Sequence, residues 1–355
     1  MVKKKYLNNL KNKKIFITGH SGFKGTWMVL WLLKYTKKIY GFSLNNVNFE
    51  HYKKLNLRIK NKNANLLNSN ILQKKLKEFD PEIVIHLAAQ PIVSKAFEDP
   101  LETFKNNIIG TANLLQKSMY LKKLKVIAII TSDKVYKNYE KKIYFNEKNE
   151  LGGDEPYGVS KASAELICDA YRTLYKINRK QKKLNQVSII TLRGGNVIGG
   201  GDFSKDRLFS DIYKSLKKNT TLLIRNPNST RPWQHVLECI KGYLMIIGYT
   251  LEKNNNDSWN IGPKKENNIK VRDIINFVKE YFPQIKFKIN NSKKFKESKN
   301  LMLSSSKIIK KISFKSSLST KEQIEMTLEW YKEYFQNKKI ISKKQLDKYS
   351  NFLND

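Results

Sequence analysis

Apolar runs recur along the chain at a regular interval. Residues 14–18, Lys-Ile-Phe-Ile-Thr, form a short apolar strand that runs into Gly19-His20-Ser21-Gly22-Phe23-Lys24-Gly25. Residues 26–35 carry helix-favouring apolar side chains and 38–42 read as a second strand, giving a βαβ unit of about 30 residues. The alternation continues with a helix over 72–79, a strand over 83–87 ending at Ala88-Ala89-Gln90, a long helix over 101–121, a strand over 126–130, a helix over 157–176 and a strand over 187–192. These strands are unbroken apolar runs, so both of their faces are expected to be buried, as in a parallel sheet covered by helices. The fold class predicted is α/β, a doubly wound parallel Rossmann sheet in residues 1–192.

After Arg193 the pattern gives way to Gly-rich and Asn-rich loops with separated helices near 206–218, 235–251, 271–282 and 319–336. This predicts a smaller, loop-rich C-terminal substrate domain over 193–337, partly interleaved with the first and closing over the carboxyl ends of its strands. Residues 338–355 are expected to be a loosely attached tail.

Composition narrows the class. The 355 residues suffice for about two domains. The longest apolar stretches, such as 28–33 and 244–248, fall well short of the roughly 18 residues a bilayer crossing needs, which argues against a membrane protein. Residues 1–14 are basic but lack the apolar core of a secretory signal, so a cytoplasmic location is expected. Two cysteines exclude a disulfide-stapled scaffold, and four scattered histidines make no metal-ligand spacing, so no metal is expected.

The net charge of +37 raises nucleic acid as a partner. Only 8 of the 68 basic residues are Arg, and the 60 Lys are scattered among Asn rather than gathered in a stripe. Good solubility and non-specific polyanion affinity are the expected consequences, with no specific nucleic acid. The non-enzymatic alternative, a Rossmann-like nucleic-acid-binding protein, requires a continuous basic stripe.

Gly19, Gly22 and Gly25 stand between a strand and a helix with the spacing G-x-x-G-x-x-G. Glycine permits the tight turn and lets backbone N–H groups approach a pyrophosphate at the positive end of the helix dipole. Two rival motifs fail, because Phe23 stands where a nucleophile elbow needs Gly and no Gly-Lys-Ser/Thr closes a triphosphate loop. At the end of the second strand, where a dinucleotide site usually has a carboxylate for the adenosine ribose, the chain offers only Ser43. No Arg stands nearby, so NAD is favoured over NADP, with Lys24 the one neighbour able to meet a 2′-phosphate.

Tyr157 and Lys161 lie four apart on a predicted helix and share a face. An ammonium beside a phenol lowers its pKa from about 10, which would let Tyr157 act as a general base. Thr131-Ser132-Asp133-Lys134 stands upstream at the end of a strand.

Together these residues resemble the extended short-chain dehydrogenase/reductase superfamily, in particular its nucleotide-sugar epimerases and dehydratases. The blocks Thr18–Gly25, Thr131–Tyr136, Arg193–Asp202 and Arg231–Glu238 are similar to those of the dehydratases of CDP-linked glucose, and the likeness extends over nearly the whole chain. Asp133-Lys134 fits that group, because dTDP-glucose dehydratases carry Asp-Glu there and GDP-mannose dehydratases Ser-Glu.

The resemblance implies that Tyr157, Ser132 and Lys161 oxidise C4 of a hexose, that Asp133 protonates the departing 6-hydroxyl, and that Lys134 either removes the C5 proton, the reading preferred, or stabilises the enolate. It places Gly19, Gly22, Phe23, Lys24, Gly25, Ser43, Asn65, Leu66, Ala88, Ala89, Gln90, Thr131, Tyr157 and Lys161 around the cofactor. Asn196, Arg207, Arg225, Arg231 and His235 fall in the nucleotide-sugar region, although a buried polar role is the plainer reading of His235. A homodimer through the helices 101–121 and 157–176 is also implied. A 4-epimerase, or a dehydratase of dTDP-, UDP- or GDP-sugars, is the alternative within the family.

Overall fold

The structure is a computed structural model and describes residues 2–44, 48–139, 143–224, 227–228, 230–263, 268–289 and 301–351. Seven strands form one sheet: β1 (Ile15–Thr18), β2 (Ile39–Ser43), β3 (Lys60–Asn63), β4 (Ile83–His86), β5 (Val126–Ile130), β6 (Ser188–Gly194) and β7 (Asp257–Ile261). Their order across the sheet is β7-β6-β5-β4-β1-β2-β3, and every neighbouring pair is parallel. The order reverses between β1 and β4, which opens a crevice at the carboxyl ends of those two strands.

The apolar strands occupy the middle of the sheet, and β1, β4 and β5 are buried throughout. β3 is the exception: Lys-Asn-Lys-Asn is exposed along its length and is a strand only because β2 offers a free edge. No hydrophobic pattern marks it, and its lysines discourage further edge pairing.

Helix α1 (Phe23–Leu32) is buried from Gly25 to Leu32 because both its faces are covered. Helix α2 (Ser69–Phe79) is capped by Asn68, whose side chain accepts from the Ile71 amide. The long helix expected over 101–121 is broken into Pro100–Phe104, a π-helical turn at Lys105–Ile109, and α3 (Gly110–Ser118). A π turn takes up an extra residue, and here Asn107 is buried within it. Helix α4 (Pro156–Gln181) is longer than predicted and packs beside this segment, where the Tyr175 hydroxyl donates to the Leu115 carbonyl at 2.7 Å.

The C-terminal half returns to the sheet, because β7 pairs with β6 and extends it. Helices α5 (Leu208–Lys218), α6 (Val236–Lys253) and α7 (Thr320–Asn337) pack above and beside it. The expectation of a loose tail is corrected: residues 342–351 form α8 (Ser342–Asn351), and Ser342, Gln345, Leu346 and Tyr349 are buried. These four fall on one helical face. Tyr349 packs edge-on to Trp31 at 5.6 Å, and the Gln345 amide donates to the Met326 carbonyl at 2.7 Å.

Candidate active site

The glycine turn closes β1 against its two neighbours. Gly19 has φ +73°, its N–H donates to the Phe42 carbonyl at 2.8 Å, and a Cβ on it would stand 2.6 Å from the Ala88 nitrogen. A Cβ on Gly25 would lie 2.0 Å from the Gly19 carbonyl, so α1 begins flush against the turn. Gly22 caps α1 with no side-chain acceptor for its first amides. A helix N-terminus held open by a glycine turn at the sheet's switch point fits a dinucleotide pyrophosphate. Phe23 opens this helix and packs toward Gly199, where an added Cβ would be 3.4 Å from its ring.

Several predicted cofactor side chains are already engaged. The Ser43 hydroxyl meets Ser21 Oγ at 2.7 Å and His20 Nδ1 at 3.1 Å. His20 lies over Gly41, where a Cβ would be 2.5 Å from its ring, and burial lowers its pKa to about 4. Asn65 Oδ1 accepts from the Leu67 amide at 2.9 Å, and the Leu66 carbonyl accepts from Asn113. Ala88 donates its N–H to Thr18 Oγ1 at 3.4 Å, and Ala89 is half-buried beside it. Gln90 faces away from the crevice, with its amide bonded to Ile92 and to Thr103 Oγ1. Thr131 Oγ1 donates to Glu165 at 2.6 Å. The backbones of Gln90 and Thr131 are engaged as well: the Gln90 N–H donates to Asn107 Oδ1 at 2.8 Å, its carbonyl accepts from Asn107 Nδ2 at 3.1 Å, and the Thr131 N–H donates to the Leu192 carbonyl at 3.0 Å.

Lys24 is not at the adenosine end, which corrects its expected role with a 2′-phosphate. Its Nζ lies 5.9 Å from the Tyr243 ring centroid, within electrostatic reach of Asp133, Asp202 and Arg207. Burial lowers its pKa, with the thiol of Cys239 and the two carboxylates opposing.

The catalytic block assembles where β5 ends. Ser132 Oγ donates to Asp133 Oδ1 at 2.9 Å, and Asp133 is buried against Gly195, where a Cβ would be 3.3 Å from Oδ2. Tyr157, on the first turn of α4, hydrogen-bonds with Ser132. Burial raises its pKa to about 12, while the Ser132 bond and the Arg207 charge pull it down. The expected acidification of this phenol by Lys161 is thus corrected. Lys161 Nζ donates to the Ile130 carbonyl at 3.2 Å, and its own pKa is lowered to about 7, chiefly by burial and then by Lys24.

Lys134 Nζ stands 3.7 Å from Glu155 Oε1.

Glu155, passed over in the sequence, is the N-cap of α4. Its carboxylate accepts from the Tyr157 amide at 2.7 Å and the Gly158 amide at 3.0 Å. Glu155-Pro156 was a legible start signal, a capping acceptor followed by Pro at the first helical position. A buried network beneath the site was also missed. Arg193 grips Glu165 through Nε at 3.0 Å and Nη2 at 2.9 Å, and Thr191 and Thr131 each donate to the same carboxylate at 2.6 Å. Asn107, turned inward by the π segment, donates to Ser160 Oγ at 2.9 Å and thereby holds the turn of α4 between Tyr157 and Lys161. Nothing in the apolar pattern signals a π turn.

A cleft opens beside this block, lined among others by Asn196, Gly199, Asp202, Arg207, Trp233 and Tyr331. It brings together Asn196 and Arg207 of the predicted substrate set. His235 is elsewhere: it is fully buried as the N-cap of α6, Nδ1 accepts from the Leu237 amide at 3.3 Å, and burial lowers its pKa to about 3. Its assignment to substrate is withdrawn. Arg225 and the side chain of Arg231 lie outside the described residues, and the backbone of Arg231 sits in the short strand Thr230–Pro232. Among the described residues no cluster of three or more His, Cys, Asp or Glu could hold a metal, and no helix is long and apolar enough to cross a membrane.

The sheet order, the glycine turn at its switch point and a Tyr-x-x-x-Lys helix beside a strand-end serine define a protein of the extended short-chain dehydrogenase/reductase class. Within that class the chain belongs to the GDP-mannose 4,6 dehydratase family, which it matches over residues 16–340. It is 39% identical over 274 residues to the CDP-glucose 4,6-dehydratase of Salmonella typhimurium, covering 76% of each chain. It is 26% identical over 261 residues to the dTDP-D-glucose 4,6-dehydratase of Dictyostelium discoideum, covering 66% of this chain and 55% of the other. The fold is shared with the epimerase Mth375 of Methanothermobacter thermautotrophicus, with a TM-score of 0.81 and 20% identity over 95% of this chain and 96% of that one. It is also shared with the dTDP-glucose 4,6-dehydratase DesIV of Streptomyces venezuelae, solved with NAD and TYD bound, with a TM-score of 0.74 and 18% identity over 90% and 97% of the two chains.

Proposed function

We propose that the protein is an NAD-dependent hydro-lyase that converts CDP-D-glucose into CDP-4-dehydro-6-deoxy-D-glucose, an intermediate for deoxysugar and O-antigen synthesis. The observation that carries this reading is the Ser132–Asp133 pair beside Tyr157, in a chain 39% identical to a CDP-glucose 4,6-dehydratase. An epimerase needs the phenol and hydroxyl at C4, whereas a buried carboxyl next to them supplies the additional acid that elimination requires.

The residues fit NAD. Gly19, Gly22, Phe23 and Gly25 form the pyrophosphate cradle, with Ser43, Asn65, Leu66, Ala88, Ala89, Gln90 and Thr131 along the crevice. NAD is preferred to NADP because residues 40–50 contain no Arg and Lys24 lies at the other end of the site. When bound, NAD supplies reversible hydride acceptance, taking hydride from C4 and returning it to C6.

Tyr157 removes the 4-hydroxyl proton while Ser132 holds the same oxygen, and the Ser132 bond and the Arg207 charge favour the phenolate. The 4-ketone acidifies the C5 proton. Lys134 takes that proton as Asp133 protonates the 6-hydroxyl, which departs as water, and the same proton returns to C5 when C6 receives hydride, so that the resulting ammonium faces the enolate while it lasts. Asn196 and Arg207 hold the nucleotide diphosphate in the cleft, an arrangement suited to Arg because its fork is planar and always charged. A homodimer through the π-interrupted helix and α4 belongs to the same proposal.

Purified protein supplied with NAD and, separately, CDP-, dTDP-, UDP- and GDP-glucose tests the substrate. The expected result is loss of one water and an alkaline 4-keto chromophore with CDP-glucose, and turnover confined to another nucleotide would reject the assignment.

A further inference from the structure

The tail helix grips one wall of the cleft through a single hydroxyl. Gly199 and Asp202 line the cleft, and the turn between them leans on aromatic rings. A Cβ on Gly200 would lie 1.9 Å from the Trp330 indole, and one on Gly201 (φ +83°) would lie 2.0 Å from His51 Nδ1. Trp27 Nε1 donates to the Gly200 carbonyl at 2.9 Å, and the Tyr331 hydroxyl donates to the Asp202 carbonyl at 2.5 Å. Neither glycine position can accept a side chain while these rings stay where they are.

The rings in turn meet at α8. Trp330 Nε1 donates to Ser342 Oγ at 2.8 Å, and the same oxygen lies 2.8 Å from His51 Nε2. An indole N–H can only donate, so Ser342 accepts from Trp330, and its remaining donor or acceptor capacity meets His51, whose tautomer sets the direction of that bond. Burial lowers the His51 pKa to about 3, so the ring is neutral. Ser342 is fully buried, as is Trp330. One hydroxyl thus ties together three segments distant in sequence, the helix around His51, α7 and α8, directly behind the cleft wall.

We propose that Ser342 is a positioning residue for substrate. By fixing His51 and Trp330 it holds the Gly199–Asp202 turn in the shape that accepts the nucleotide sugar. The assignment of this cleft to the nucleotide sugar rests on the function proposed above. A turn free to leave that shape lowers the competent fraction of the enzyme, and apparent affinity falls in proportion.

Ser342→Ala and Trp330→Phe each remove one partner of the same bond. Each is expected to raise KM for CDP-glucose about five- to tenfold with kcat within about twofold, and the double variant to be no worse than the poorer single one. A ligand-independent readout accompanies the kinetics. Hydrogen exchange at the amides of residues 199–203 should quicken in Ser342→Ala while β4 and β5 stay protected. Unchanged exchange in the turn would overturn the proposal whether or not CDP-glucose is the substrate. An unchanged KM accompanied by a lowered Tm would overturn it as well, leaving Ser342 a stabilising contact only. Wild-type protein inert toward every nucleotide sugar, with the turn loosened as expected, would instead count against the proposed function.

Discussion

At the residue scale, the proposed chemistry divides two proton tasks among neighbouring groups. Tyr157 and Ser132 share one hydrogen bond, while Asp133 is buried against Gly195. Lys134 is held toward Glu155. The account assigns oxidation to the first pair and elimination to Asp133, so the steps should be separable. Asp133→Asn is expected to retain hydride transfer from C4, seen as a 340 nm transient, while dehydration slows by about 10²–10⁴-fold. Loss of the transient together with dehydration would place Asp133 in the oxidation step instead. That Ser132, Asp133 and Tyr157 meet was legible from the sequence blocks that resemble those of the nucleotide-sugar dehydratases. Proximity to an ammonium was the wrong guide to the phenol: burial outweighs it, and the Lys161 amine is turned to the Ile130 carbonyl.

At the scale of elements, the π-interrupted helix and α4 carry apolar side chains on their outer faces that this chain does not cover. Leu101, Ile109, Leu166, Leu174 and Ile177 are all exposed, Leu101 by 60% and Leu166 by 59%. Apolar residues on two adjacent helices are what a four-helix contact between copies would bury. The protein should therefore sediment as a dimer at micromolar concentration, and Leu166→Glu should shift it toward the 41.6 kDa chain. A wild-type protein sedimenting as a single chain would refute the pairing.

Element by element, legibility followed burial. β1, β4 and β5 announced themselves as apolar runs, and the helices expected near 206–218, 235–251, 271–282 and 319–336 begin and end within about two residues of expectation. β3, with no apolar residue, exists through pairing alone, and α8 was hidden because its buried face carries a single aliphatic residue, Leu346, among Ser342, Gln345 and Tyr349.

On the scale of the whole molecule, all four histidines are buried, and burial depresses each pKa: His20 to about 4, and His51, His86 and His235 to about 3. An unfolded histidine takes up its proton near pH 6.5, whereas the folded ones stay neutral until pH 3–4. Below about pH 6.5 the unfolded chain therefore binds more protons, so this stability is fully present above that value and is lost as pH falls toward 3–4. Each such group contributes a slope of about 1.4 kcal/mol per pH unit once the unfolded form is charged. Urea midpoints should drop steeply between pH 7 and pH 5, above the range in which carboxylates titrate, and a flat profile there would show that the imidazoles are not held neutral. Among the described residues only Lys24, Lys134, Lys161 and Arg207, of 68 basic residues in the chain, stand at the site, which is otherwise built of glycines, hydroxyls and buried carboxylates.

The central claim is that one site oxidises C4, expels the 6-hydroxyl and returns the same hydride to C6. CDP-glucose carrying deuterium at C4 tests it in a single incubation read by mass spectrometry and NMR. The account predicts a product one water lighter with deuterium in its C6 methyl group. A product of unchanged mass with deuterium back on C4 and the configuration there inverted would contradict it and mark the protein as an epimerase.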